Sequence, residues 1–133
     1  MTDTYFIEGK VRDYECDIQG IVNNGVYQNY LEHARHEFLL HKGVDFVGLA
    51  EKGLNLVVTR IEIDYKQPLK PQETYQVFVD VERVSRVRFE FDQRIECNGK
   101  LIIKAKVQGT CINEKGRPVM PEELDSILEI EPA

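Results

Sequence analysis

Asp17 is the side chain best placed to do chemistry. It lies in a stretch without clear hydrophobic period, Arg12 to Asn24, which also holds Gly20 and the pair Asn23 and Asn24. Segments of this kind often carry function. A carboxylate just ahead of a helix can act as a general base on water or as a nucleophile. The unpaired N–H groups of the helix's first turn favour a nearby negative charge, and they can polarise a carbonyl. From one carboxylate alone the plainer reading is a turn or an N-terminal cap, because Asp accepts readily from neighbouring amides.

Other reactive side chains have plainer readings still. Cys16 adjoins Asp17, but no His lies in that segment, and a structural thiol is the commoner case. His33 and His36, with Glu32 and Glu37 beside them, have a spacing that suggests a metal. Their charged neighbours at helical steps make a solvated face the simpler account. Glu32 and Arg35 are placed to pair as helical neighbours and are read as helix support or a subunit contact. His41 is read as a last-turn residue complementing the helix dipole. Tyr27 and Tyr30 fit core packing and the lining of a pocket equally well.

The elements that must position Asp17 follow from periodicity. Tyr5 to Val11 resembles a strand. From Gly25 to His41, apolar residues at three- and four-residue steps, Val26, Tyr30, Ala34 and Phe38 among them, predict a broad-striped helix, with Asn23 or Asn24 as its cap. Asp45 is placed to cap a second, short helix, Phe46 to Lys52. The period then changes to two: Leu54 to Lys66, Thr74 to Val84, Val87 to Cys97 and Leu101 to Asn113 read as strands. Asn98-Gly99 is a two-residue hairpin signal, Arg83 to Arg86 a polar turn, and Gln67 to Glu73 a Pro-containing link. All three connections look too short for crossovers, which predicts an antiparallel sheet. Pro121 opens a last helix, Glu122 to Leu128. The expected class is α+β, a long central helix wrapped by a five-stranded antiparallel sheet. Long strands with one helix to cover them leave edges to be paired, which predicts a homodimer or homotetramer.

Composition bounds the function. The chain has 133 residues, 42% of them hydrophobic and 30% charged, so one domain spanning 1–133 is expected. Its 17 Lys+Arg against 23 Asp+Glu give a net charge of -6, which opposes non-specific binding to nucleic acid or anionic membrane. No basic and apolar leader opens the chain and no apolar run approaches ~20 residues, so export and insertion are not expected. Cys16, Cys97 and Cys111 form no close pair, which predicts reduced thiols and a cytoplasmic location.

The segment Val11 to Phe38, VRDYECDIQGIVNNGVYQNYLEHARHEF, resembles the acyl-CoA thioesterases of the hotdog fold, in particular the 4-hydroxybenzoyl-CoA thioesterase family. The matching residues are Asp17, Gly20, Ile21, Val22, Tyr27, Tyr30, Glu32, Ala34 and Arg35, in order, and the later stretch Asp64 to Pro68 is similar too. Around this motif the catalytic reading of Asp17 overtakes the turn reading.

The resemblance implies hydrolysis of an acyl thioester to free acid and CoA with no cofactor and no metal. It implies Asp17 as general base or nucleophile, the Asn24 backbone amide as the donor polarising the carbonyl, and active sites between subunits. Substrate contacts are implied at Gly20, Val22, Asn23, Gly25 and Tyr27. Asn23 and Asn24 stand where relatives often carry aromatic residues or His. CoA phosphates need cations, for which Arg83, Arg86 and Lys66 are the candidates, with Arg88 and Lys70 close by. Two alternatives remain open: an acyl-carrier-protein thioesterase, and a non-catalytic acyl-binding hotdog dimer.

Overall fold

The computed structural model describes residues 5–128. The strands are β1 (Tyr5–Lys10), β2 (Asn55–Tyr65), β3 (Thr74–Arg83), β4 (Arg88–Cys97), β5 (Lys100–Ile112) and β6 (Pro118–Val119). The helices are α1 (Asn24–His41), α2 (Phe46–Glu51) and α3 (Glu122–Leu128). All pairings are antiparallel, in the order β1-β3-β4-β5-β2, with β6 added to the end of β5. This is the antiparallel sheet packed on a long helix expected of a hotdog, with a sixth strand too short to show as an alternating run. The β4–β5 hairpin turns through Asn98 and Gly99, both at positive φ (52° and 77°), as a two-residue turn matching strand twist requires.

One expectation about connections is corrected. The link from β2 to β3 does cross, because β5 and β4 lie between those strands. Three strand spacings amount to ~14 Å, which the seven residues Gln67 to Glu73 span easily at ~3.3 Å each.

Helix α1 lies on the concave face of the sheet and buries Leu31, Ala34 and Phe38 against it. Facing side chains of β4 and β5, Phe91, Ile95, Ile103 and Val107, close the core. Strand β2 differs: its concave-face residues Val58, Ile61 and Tyr65 are 49%, 37% and 48% exposed. They lie at the open edge of the sheet, opposite Gly109, Val107 and Ile103 of β5.

The Glu32–Arg35 pair is also corrected. Arg35 is only 7% exposed, and its Nη1 donates to Gln93 Oε1 at 3.1 Å, while Gln93 Nε2 donates to the Leu31 carbonyl at 3.0 Å. Burial lowers the Arg35 pKa, and the negative charge of Glu32 opposes that shift. The arginine points between helix and sheet, so Gln93 reaches it where a surface glutamate does not. Among the described residues no helix is long and apolar enough to cross a membrane.

Candidate functional site

The chain leaves β1 through Val11, whose N–H donates to the Glu73 carbonyl at 2.9 Å and whose carbonyl accepts from Gln72 at 3.0 Å. A single 3-10 turn, Asp13–Glu15, follows, absent from the sequence reading because three residues carry no period. Cys16 and Val22 then form an isolated antiparallel bridge that closes residues 17–21 into a tight loop. Within it the Asp17 N–H donates to Ile21 O and the Gly20 N–H donates to Asp17 O, both at 2.9 Å. Gly20 sits at φ +79°, the left-handed region this turn needs, and a Cβ built there meets nothing within 4 Å.

Asp17 is half-buried, and its Oδ1 accepts from the Gln19 amide at 2.8 Å and the Ile21 amide at 3.4 Å. That is the turn-forming habit of Asp, and it uses one oxygen. Among the described residues Oδ2 has no partner. The turn therefore fixes the carboxylate and leaves one oxygen free to act, so the turn and catalytic readings are compatible.

Helix α1 begins one residue earlier than expected, at Asn24, after Asn23 in extended conformation (φ -61°, ψ 143°). The expected side-chain cap is not made. The Asn23 side chain instead turns back, Nδ2 donating to Glu15 O at 3.3 Å beside the Asn23 N–H at 3.0 Å. Among the described residues the N–H groups of Asn24 and Gly25 have no acceptor, and both residues are exposed. An acceptor arriving from solution meets two free amides at the positive end of an eighteen-residue helix.

The expected site residues divide by depth and by place. Asp17 is half-buried, while Gly20, Asn23, Asn24 and Gly25 are exposed along the loop and helix start that follow it. Val22 and Tyr27 are buried, 2% and 3% exposed. Val22 donates to Leu69 O at 2.9 Å, and the Tyr27 hydroxyl accepts from the Leu69 amide at 3.1 Å. Burial is the main cause that raises the Tyr27 pKa. The Cys16 thiol is also pushed up, by burial first and then by Asp13, Asp17 and Glu15, which disfavours the thiolate a nucleophile needs.

The cations separate in the same way. Lys66 directly follows β2, its N–H donating to Ile102 O at 2.8 Å. Arg83 ends β3 and Arg86 lies in the turn beyond it, at the far end of a strand whose ten residues span ~30 Å. Arg83 pairs with Asp125 and donates to the Arg86 carbonyl at 2.7 Å. Beside Lys66 is a groove of about 210 Å³, lined in part by Gln67, Lys70, Glu73, Asn98 and Lys100. Lys100 escaped the sequence reading because only the folded sheet brings it to the groove that Lys70 also lines. Glu15 also escaped it, although its place in the run Asp13-Tyr14-Glu15-Cys16-Asp17 was a signal.

Residues 11–128 match the family model described as the thioesterase-like superfamily. The acyl-acyl carrier protein thioesterase ATL3 of Arabidopsis thaliana, chloroplastic, is 36% identical over 90% of this chain and 64% of its own length. This chain thus spans less than two thirds of that relative. The acyl-CoA thioesterase YbgC of Haemophilus influenzae is 30% identical over 83% of this chain and 83% of its own. A solved structure of a hypothetical protein from Aquifex aeolicus superposes with a TM-score of 0.87 at 30% identity, covering 94% of this chain and 99% of that one.

Proposed function

This chain belongs to the thioesterase-like superfamily, and on that premise we propose that it hydrolyses an acyl thioester at the surface formed by Asp17 and the start of α1. One observation carries the reading: a turn-fixed carboxylate with a free oxygen lies in the loop that leads directly into the free amides of Asn24 and Gly25. Carbonyl addition needs a group that activates or supplies the nucleophile and a donor for the oxyanion.

As general base, Asp17 takes a proton from water as the water oxygen adds to the thioester carbon. The oxyanion accepts from the Asn24 N–H, the C–S bond breaks, and the thiolate leaves and is protonated. As nucleophile, an Asp17 oxygen adds instead, the thiolate leaves, and water cleaves the resulting anhydride. Either cycle uses only water and protein groups.

Acyl-CoA is the proposed substrate class, supported by the likeness to YbgC and by Lys70 and Lys100, which line the groove that begins at Gln67, next to Lys66. The carrier-protein thioester is the second reading, favoured by the higher identity to the Arabidopsis protein. A homodimer is part of the proposal. The open edge of β2 exposes apolar Val58, Ile61 and Tyr65, and two copies paired antiparallel about Ile61 set Arg60 opposite Glu62 of the second copy. Tyr65 is 5.7 Å from the Tyr27 ring, so that edge runs beside the site, and a site between subunits follows. The free thiols of Cys16, Cys97 and Cys111 suit a reducing cytoplasm.

The test is thiol release from matched panels of CoA-linked and carrier-linked acyl groups, comparing wild type with Asp17→Asn. A fall of about 10²- to 10⁴-fold in the variant is expected. Equal turnover would remove Asp17 from the mechanism. Preference for carrier-linked substrates would select the second reading, and tight binding without release would select a non-catalytic acyl binder.

A further inference from the structure

The Asp17 loop hangs from one residue that the chemistry above does not use. Glu15 Oε1 accepts from the Tyr30 hydroxyl at 2.6 Å and from the Arg12 N–H at 2.9 Å, while Oε2 lies 3.5 Å from Arg12 Nη1. Its carbonyl accepts both the N–H and the side-chain amide of Asn23. A single residue thereby ties the loop's entry at Arg12, its exit at Asn23 and the second turn of α1 at Tyr30. Asp17 is two residues beyond it, and Asn24 follows Asn23.

The anchor is itself held. Tyr30 is 6% exposed and stacks on Tyr75 of β3 at 4.4 Å between ring centroids. The Glu15 side chain is only 12% exposed. Removing a carboxylate from water is unfavourable, and an apolar residue would pack against two tyrosine rings without that penalty. An acid at this point therefore supplies what an apolar residue cannot, an acceptor that joins loop to helix.

We infer that Glu15 is a positioning residue, holding the Asp17 carboxylate in fixed geometry relative to the Asn24 amide. The inference rests on the catalytic reading of Asp17. It requires the anchor to act through geometry, so a neutral acceptor of the same shape should serve.

The experiment compares Glu15→Ala, Glu15→Gln and Tyr30→Phe, alone and with Asp17→Asn, on whichever panel thioester wild type turns over fastest. Amide hydrogen exchange is followed at Asp17 and Gln19 of the loop and at the core strand β4. The expected result for Glu15→Ala and Tyr30→Phe is a fall of about 10- to 100-fold in kcat, with KM within about threefold of wild type. Loop amides should exchange faster while β4 is unchanged, Glu15→Gln should retain most activity, and neither change should lower turnover further in the Asp17→Asn background. Wild-type kcat in Glu15→Ala beside an inactive Asp17→Asn would overturn the inference and leave Asp17 standing. Equal loss in Glu15→Gln and Glu15→Ala would overturn it in favour of a charge effect. Faster exchange in loop and core together would overturn it in favour of general destabilisation. Full activity in Asp17→Asn would remove the catalytic reading instead and with it the inferred role; unchanged loop exchange in Glu15→Ala would then remove the anchor as well.

Discussion

Tyr75 crosses Gly9 so closely that a methyl group at position 9 would stand 2.9 Å from the Cε1 of the ring and nearer still to its hydroxyl end. The two residues are direct partners in the β1–β3 register. The glycine leaves the space that the aromatic ring fills, and the same ring carries Tyr30 and, through it, Glu15.

Gly9→Ala should therefore be felt at the loop as well as in the sheet. The rigid ring, stacked on Tyr30, has little room to retreat, so overpacking should cost about 1–3 kcal/mol of stability. The urea midpoint measures this. A lowered kcat should accompany it, whereas an unchanged midpoint would show that the ring moves aside freely.

Gln93 and Arg35 offer a second measurement. Gln93→Leu leaves a buried guanidinium without its acceptor and should cost about 2–4 kcal/mol. Adding Arg35→Met removes the stranded charge, so the double variant should recover much of the loss in chemical denaturation. A simple sum of the two single losses would show that the pair is not coupled.

Alkaline titration provides a third. Burial and nearby Glu15 push the Tyr75 hydroxyl from its usual value near 10 up to about 12. Burial and the bond to Glu15 raise Tyr30 further. Between pH 10 and 12 the folded protein keeps protons that the unfolded chain has lost, so stability is fully present below about pH 10 and falls as pH rises through 12. The slope should approach about 1.4 kcal/mol per pH unit for each such tyrosine. Denaturant midpoints across that range, compared with Tyr75→Phe, check both sign and size; a flat profile in wild type would contradict it.

Much of the fold was legible because its signals are local. The strand period, the α1 stripe and the Asn98-Gly99 turn each lie within a few residues, and each element formed close to its expected bounds. Strand order was not local. The Gln67 to Glu73 link looks like a plain turn until the strand order places β5 and β4 between β2 and β3, so that the same seven residues cross two strands.

The site shows the same division. Sequence by itself determined the Asp17-to-Gly20 turn, because an Asp bonding the amides just ahead of it and a glycine at positive φ are properties of neighbouring residues. It also determined that a helix would start next to that turn. Only the tertiary structure decided that Glu15 reaches Tyr30, that Lys100 and Lys70 line one groove, and that Arg83 is drawn away to Asp125. Each of those meetings joins residues from different elements, and only the packing of helix on sheet fixes where their side chains meet.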